Sequence, residues 1–175
     1  LSYDQSKGSE TGEKIFQTNL YHYAGTGHLA IDYAKLMRVG YDGLISEAKG
    51  KLEQLSMRDP EYNDKRDFYE AMIIMHEAAK KYIERYAELC MQKAAEETDT
   101  QRRKELELMA DNCRQIAGGA PQTFWQAMQL FNIATTLIQV ESNGHSISYG
   151  RMDQWLYPYY KKDIENGTIT KEFAL

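Results

Sequence analysis

Apolar side chains recur every three or four residues along most of the chain, and this spacing predicts a mainly helical protein. The clearest helix is predicted over residues 61 to 97, where Lys and Glu fill the solvent-facing positions. Its apolar stripe comprises Tyr69, Met72, Ile73, His76, Ala79, Ile83, Tyr86, Ala87 and Cys90. Asp59 followed by Pro60 predicts the start of this helix, because Asp is a favoured cap and Pro fits a first helical turn.

Capping and breaking residues delimit the other predicted helices. The first is expected from Asp32, with a break near Gly40 or Gly43. A helix is predicted from Thr98, with Gln101 completing a capping box, to a glycine stop at Gly118 and Gly119. The next is predicted from Pro121 to the turn at Asn143 and Gly144. The last is predicted from a cap at Asp153 through Tyr160 towards Asn166 and Gly167. Pro158 should cost the last of these a hydrogen bond or kink it.

The helix predicted from Pro121 is apolar around most of its circumference. Its apolar residues are Phe124, Trp125, Met128, Leu130, Phe131, Ile133, Leu137, Ile138 and Val140. A helix of this kind is normally buried, so it predicts a structure larger than three helices. The chain begins with Leu1 rather than methionine, and Thr170 is placed to cap a helix that does not continue past Leu175. We therefore interpret the sequence as a piece of a longer protein.

Polar side chains concentrate where this long helical pattern stops, between Glu141 and Tyr160. Asn143 and Gly144 form a turn dipeptide, because both residue types tolerate positive φ. The turn should leave His145 and Ser146 on a short loop at the end of a rigid helix. Residues 147 to 149 are β-competent, so we expect a short buried strand there that ends at Gly150.

A second polar position is His28, which directly follows a Gly-Thr-Gly sequence at residues 25 to 27. The two glycines allow a sharp backbone approach to this histidine. They are not a dinucleotide-binding fingerprint, since no hydrophobic strand precedes them and the third glycine is missing. Residues 1 to 13 are polar and rich in Gly, Ser and Thr, so this segment is expected to be flexible.

Composition excludes several classes of function. The chain has 175 residues, enough for one domain with a sizeable core, and its net charge of −5 argues against nucleic acid and anionic membrane as partners. Cys90 and Cys113 fall on apolar helix faces, and their spacing matches neither a zinc site nor a redox motif. No signal peptide pattern is present, and these features favour a reduced, cytoplasmic setting.

The residues alone leave the role of the histidines open. His76 and Glu77 form half of a zinc protease signature, but the second histidine's position is Lys80, so His76 is interpreted as a core histidine. The simplest interpretation of His28 and His145 is that both bond to backbone and fasten their loops. A Ser-His nucleophile is a weaker alternative, because neighbouring residues of an extended segment point to opposite faces and no Gly-x-Ser-x-Gly elbow exists.

Three segments together resemble a known family. Residues 141 to 160, 27 to 33 and 120 to 127 are similar to the early part of the pyruvate formate-lyase domain of glycyl radical enzymes, and the resemblance extends over 14 to 175 as a partial domain. Within that superfamily, His28, His145 and Ser146 are most similar to the pattern of glycerol and propanediol dehydratases. The matching histidines and serine of those enzymes lie in the active site and hydrogen-bond the substrate hydroxyls.

The resemblance implies a fold and a chemistry for the parent protein. The fragment would be mainly α with one or two short strands, as part of a ten-stranded α/β barrel of the glycyl radical enzyme type. The implied function is dehydration of a small diol, glycerol or 1,2-propanediol, with a glycyl radical outside these residues and no metal in this chain. A choline or hydroxyproline lyase, a formate acetyltransferase-like enzyme and a non-catalytic helical remnant are the alternatives.

The resemblance also implies residue roles and partners. His28 would assist the leaving hydroxyl, while His145 and Ser146 would position the other hydroxyl. Neither the Gly-Cys-x-Glu loop nor the Arg-Val-x-Gly-Tyr motif is present, so Cys90 and Cys113 are not the catalytic thiol and the fragment alone should be inactive. The implied partners are a small-molecule substrate, a radical S-adenosylmethionine activating enzyme and a second copy in a homodimer. The implied location is the cytoplasm of an anaerobic bacterium, with a bacterial microcompartment as an alternative.

Overall fold

A computed structural model of the protein describes residues 28 to 142 and 146 to 175. The order of elements is β1 Leu29–Ala30, α1 Tyr33–Glu53, α2 Tyr62–Glu96, α3 Thr100–Gly118, α4 Phe124–Ser142, β2 Ile147–Ser148, α5 Met152–Glu165 and α6 Lys171–Ala174. The predicted mainly helical architecture with short strands is therefore confirmed. The segment 1 to 13 lies outside the described residues, and its predicted character remains a prediction.

Helix α1 breaks at Gly40, as predicted from the sequence. Gly40 has φ 64° and ψ −176°, values that no α-helical residue adopts. Its Cα also lies against the connection between α3 and α4, where an added Cβ would be 2.4 Å from the carbonyl carbon of Gly119 and 2.7 Å from the nitrogen of Ala120. A glycine is required here for both its conformation and its size.

Helix α2 begins one residue later than predicted, at Tyr62, and ends at Glu96. Pro60 lies before the helix, and Asp59 accepts a hydrogen bond from the amide of Glu61 at 2.9 Å instead of capping the first helical turn. The predicted buried stripe holds for His76, Ala79, Ile83, Ala87 and Cys90. The prediction is wrong for Tyr86, because 44% of its surface is exposed. Its ring instead contacts that of Tyr82 one turn away.

Helix α3 has a different cap from the one predicted. The side chain of Asp99, rather than Thr98, accepts from the amides of Gln101 at 2.7 Å and Arg102 at 3.0 Å. A carboxylate at this position satisfies two amides at once and interacts favourably with the positive end of the helix dipole, so it displaces the capping box expected from Thr98. The predicted glycine stop is confirmed, since the helix ends at Gly118.

Helix α4 begins at Phe124, three residues after the predicted start at Pro121. The reason is that its first turn is capped by side chains: Thr123 accepts from the amide of Gln126 at 3.2 Å, and the buried Asp163 of α5 accepts from the amide of Phe124 at 2.7 Å. The apolar face of α4 is only partly covered, because Leu130 is fully buried while Val140 is 77% exposed.

Helix α5 begins at Met152, and the predicted cap at Asp153 is wrong. Asp153 lies inside the first turn and forms a two-point ion pair with Arg151, at 2.9 and 2.7 Å. The predicted stop is confirmed, since α5 ends at Glu165 and Gly167 follows with φ 68°. Thr170 caps α6 as expected, through the amide of Phe173.

The hydrophobic core lies where α1 to α5 meet, and its largest fully buried side chains are Tyr33, Met37, Ile83, Cys113, Ile116 and Leu130. Tyr159 of α5 fastens this core from one side by donating to the carbonyl oxygen of Met37 at 2.9 Å. Within the part of the chain that the structure describes, no helix is long and apolar enough to cross a membrane.

Candidate functional site

The two short strands bring distant parts of the sequence together. Strands β1 and β2 are parallel, with Leu29 opposite Ile147 and Ala30 opposite Ser148. The amide of Leu29 donates to the carbonyl oxygen of Ser146 at 3.0 Å. Parallel pairing is possible here because α1 to α4 form a long crossover connection between the strands. The segments that carry His28 and Ser146 therefore enter the pair side by side.

Two of the three predicted site residues can be placed. His28 directly precedes β1 and is exposed, whereas Ser146 directly precedes β2 and is half-buried. His145 lies outside the described residues, so the predicted approach of His28 and His145 stays a prediction. The strand expected at residues 147 to 149 is shorter than predicted, and it is not buried: Ile147 is half-buried, Ser148 is exposed, and Tyr149 follows the strand.

Ser146 has an unusual backbone conformation, with φ at 46°. It is the one non-glycine residue with positive φ in the described parts of the chain. The left-handed region costs an L-residue roughly 1–2 kcal/mol, a cost that the surrounding structure has to offset. Such strain is concentrated at functional sites, and here it falls on a residue that the sequence had already marked as a candidate.

A cluster of four aromatic rings connects three helices with the residue that follows β2. Tyr33 of α1 stacks on Trp155 of α5 with ring centroids 5.1 Å apart and meets Phe131 of α4 edge-on at 5.2 Å. Phe131 in turn meets Tyr149, the residue after β2, at 5.1 Å. Each such pair contributes about 0.5–1.5 kcal/mol beyond its buried area. The aromatic cluster thus joins three helices to the end of the second strand.

A buried pair of hydroxyl groups lies at the edge of the aromatic cluster. Tyr33 Oη and Thr135 Oγ1 are 2.7 Å apart, and Thr135 donates its own proton to the carbonyl oxygen of Phe131 at 2.8 Å. A threonine hydroxyl has one proton, so Tyr33 must be the donor to Thr135. Burial raises the pKa of the Tyr33 phenol above its ordinary value, which keeps it a neutral donor.

The aromatic cluster was not predicted from the sequence. The sequence analysis identified Phe131 only as an apolar residue of its own helix, and periodicity carries no information on which helix faces meet. No signal in the sequence pointed to this contact, because the strands that bring Tyr33 and Tyr149 near each other are too short to show a pairing pattern.

His76 is a structural residue, as the sequence indicated. Its Nδ1 lies 2.6 Å from the carbonyl oxygen of Met72, and the side chain is buried against the ring of Tyr41. A carbonyl oxygen only accepts, so Nδ1 carries the proton. Among the described residues, no group of three or more His, Cys, Asp or Glu side chains could hold a metal ion.

The two cysteines line a separate cleft between α2, α3 and α4. The cleft has a volume of about 490 Å³, and both Cys90 and Cys113 contribute to its wall. Gln129 donates to the sulfur of Cys113 at 2.8 Å, but burial dominates and raises the pKa of this thiol. A thiol in this environment is a poor nucleophile. That neither cysteine is the catalytic thiol stays a prediction.

The sequence matches the family described as pyruvate formate lyase-like over residues 3 to 175. The chain belongs to this family. It is 74% identical over 175 residues to the (2S)-3-sulfopropanediol dehydratase of Klebsiella oxytoca, a match that covers the whole of this chain and 21% of the relative. The resemblance that the sequence motifs indicated is confirmed.

Solved structures show the same relationship. The glycerol-bound glycerol dehydratase of Clostridium butyricum is 42% identical with a TM-score of 0.82, and the match covers 88% of this chain and 19% of that one. A structure that concerns 1,2-propanediol dehydration in Roseburia inulinivorans is 36% identical with a TM-score of 0.84, over 88% of this chain and 18% of that one. The chain spans about a fifth of the length of these relatives.

Proposed function

We propose that this chain forms part of the substrate pocket of a glycyl radical dehydratase that acts on a small 1,2-diol. The observation that carries the proposal is the parallel pairing of β1 and β2, which sets His28 beside Ser146, the residue with the strained backbone. Membership of the pyruvate formate lyase-like family supports the same assignment. In the parent protein we expect these helices to surround part of a ten-stranded α/β barrel.

The proposed roles follow from what each side chain can donate or accept. Loss of water from a diol needs a proton donor at the departing hydroxyl and an acceptor at the hydroxyl that becomes a carbonyl. His28 is proposed as the donor to the departing hydroxyl, since a histidine holds and releases a proton near neutral pH. His145 and Ser146 are proposed to hold the other hydroxyl. The family's glycyl radical, which lies outside these residues, would supply hydrogen-atom abstraction.

The choice of diol is a separate proposal. The sequence motifs suggested glycerol or 1,2-propanediol, whereas the relative that is 74% identical is a sulfopropanediol dehydratase. The two solved structures are 42% and 36% identical and concern glycerol and 1,2-propanediol. We therefore favour a three-carbon diol with a sulfonate group. A radical S-adenosylmethionine activating enzyme, a homodimer and a cytoplasmic location are proposed for the parent protein.

The test uses the full-length parent protein, activated anaerobically by its activating enzyme and supplied with each of the three diols. We expect each accepted diol to give its aldehyde product. The highest kcat/KM is expected with (2S)-3-sulfopropanediol, the favoured substrate. Absence of turnover with every diol would refute the dehydratase assignment and would favour another glycyl radical activity or a non-catalytic remnant. A preference for glycerol or 1,2-propanediol would overturn only the choice of substrate.

Variants test the residues. His28→Ala should lower turnover by about 10²- to 10⁴-fold, the usual loss for a positioned acid or base. His28→Gln retains hydrogen bonding but transfers no proton, so it should lose as much. Ser146→Ala should weaken substrate binding by about 1 kcal/mol. Ser146→Gly removes the same hydroxyl and also the backbone strain, so an equal loss in both variants assigns the effect to the hydroxyl. Ser46→Ala, at an exposed position of α1, is the matched control.

A further inference from the structure

The spacing between β1 and β2 depends on how α1 is fixed against α4, because few residues separate each strand from its helix. Only Ile31 and Asp32 lie between β1 and α1, and the amide of Tyr33 donates to the carbonyl oxygen of Ile31 at 2.8 Å. A turn this tight transmits any movement of the first turn of α1 directly to β1. The position of Tyr33 therefore sets the position of β1, which directly follows His28.

Tyr33 is held by contacts to two other helices. Its ring contacts Phe131 and Trp155, and its hydroxyl donates to Thr135, so one side chain touches both α4 and α5. The side chain is 1% exposed, and Thr135 is 7% exposed. A phenylalanine could keep both ring contacts, which means that the hydroxyl must be explained by the hydrogen bond it makes.

The partner of Tyr33 is connected through Phe131 to the residue that follows the second strand. Thr135 donates to the carbonyl oxygen of Phe131, and the ring of Phe131 packs edge-on against Tyr149 just after β2. Trp155, the other ring against Tyr33, donates from Nε1 to the carbonyl oxygen of Tyr149 at 3.4 Å. Both routes from Tyr33 thus end at the same residue, on the far side of β2 from Ser146.

We propose that Tyr33 and Thr135 are positioning residues, whose buried hydrogen bond sets the spacing between His28 and Ser146. Neither side chain needs to touch the substrate for this role. The proposal rests on the proposed function in one respect: the spacing matters for turnover only if His28 and Ser146 bind the diol together. A displacement of about 1 Å in such a pair can lower turnover by about 10²-fold.

The structural half of the proposal is tested by hydrogen exchange, without any activity measurement. The amide of Leu29 donates to Ser146 across the two strands and so reports on their pairing. In the full-length protein, Tyr33→Phe and Thr135→Val should each speed exchange at Leu29 by about tenfold, while amides in the middle of α1 keep their rates. Thr135→Ser keeps the hydroxyl and should restore slow exchange. Unchanged exchange at Leu29, or a uniform increase throughout the chain, would overturn the proposal.

The catalytic half is tested with the same variants in the activated enzyme. Tyr33→Phe and Thr135→Val should each lower kcat by about 10- to 100-fold with little change in KM, and the double variant should be no worse than Thr135→Val alone, because Thr135→Val already removes the hydrogen bond that Tyr33→Phe removes. Tyr159→Phe is the matched control: it also removes a hydrogen bond to α1, but at Met37, one turn beyond Tyr33, so kcat should fall much less. Losses that simply add, or an equal loss in Tyr159→Phe, would contradict the positioning role.

The two tests also separate this proposal from the proposed function. If the wild-type enzyme converts none of the diols, the proposed function fails, while the exchange at Leu29 still decides whether Tyr33 and Thr135 hold the strands. The wild-type enzyme can also be active while Tyr33→Phe speeds hydrogen exchange at Leu29 but leaves kcat unchanged. In that case the spacing does not control turnover, and the positioning proposal is wrong.

Discussion

Substitution of Gly40 by alanine should be among the most damaging single changes in α1. The residue has φ 64° and ψ −176°, a conformation that is almost confined to glycine and costs other residues about 1–3 kcal/mol. An alanine Cβ would also lie 2.4 Å from the carbonyl carbon of Gly119, and a backbone atom cannot rotate away as a side chain can. Relief requires α1 to move from the α3–α4 connection by about 1 Å, at the cost of about 1–3 kcal/mol that overpacking usually brings.

The two contributions together predict a loss of about 2–6 kcal/mol for Gly40→Ala, a large part of the 5–15 kcal/mol that stabilises an ordinary domain. Equilibrium urea unfolding of the 175-residue chain, followed by circular dichroism, measures it. Gly50→Ala is the matched control in the same helix, since nothing lies within 4 Å of its Cβ position. That variant should be neutral or more stable by up to about 1 kcal/mol. Equal midpoints for the two variants would refute the reasoning.

Two further predictions concern groups outside the strand pair. Burial raises the pKa of Tyr41 to about 12, so the folded chain keeps this phenol neutral while the unfolded chain releases its proton near the ordinary value of about 10. The free energy of unfolding should therefore fall from pH 10 to 12 in denaturant titrations, and Tyr41→Phe should remove that part of the fall. Asp163→Ala should cost about 0.5–2 kcal/mol in urea unfolding, because its carboxylate caps the amide of Phe124, whereas Asp163→Asn keeps an acceptor oxygen and should lose less.

The helices were predictable because each has its own repeating apolar stripe. Their ends were harder to predict, because neighbouring residues can compete to cap the same helix. Thr98 and Asp99 are both good caps, and only the local backbone decides that Asp99 satisfies two amides. The late start of α4 was not predictable, because the carboxylate that caps Phe124 belongs to Asp163, a residue of another helix that is distant in sequence. Periodicity describes one helix at a time and contains no information about such a partner.

The candidate site shows the same limit more clearly. Turn chemistry and family resemblance identified Ser146, but neither indicated its positive φ, which is unusual for a serine. Strands of two residues are too short to give an alternating pattern, so the pairing of Leu29 with Ile147 could not be read from the sequence. The link between Tyr33 and Thr135 joins positions 102 residues apart and becomes visible only once α1, α4 and α5 are packed together.

The antiparallel pairing of α2 with α3 has a consequence for how the chain acquires its structure. The two helices are joined by only residues 97 to 99, and they pack along each other over much of their length. Contacts between residues close in sequence form before those that must close long loops. We expect this hairpin to appear within the first microseconds to milliseconds of refolding, whereas the β1–β2 pair, which closes a loop of more than a hundred residues, should be among the last contacts formed.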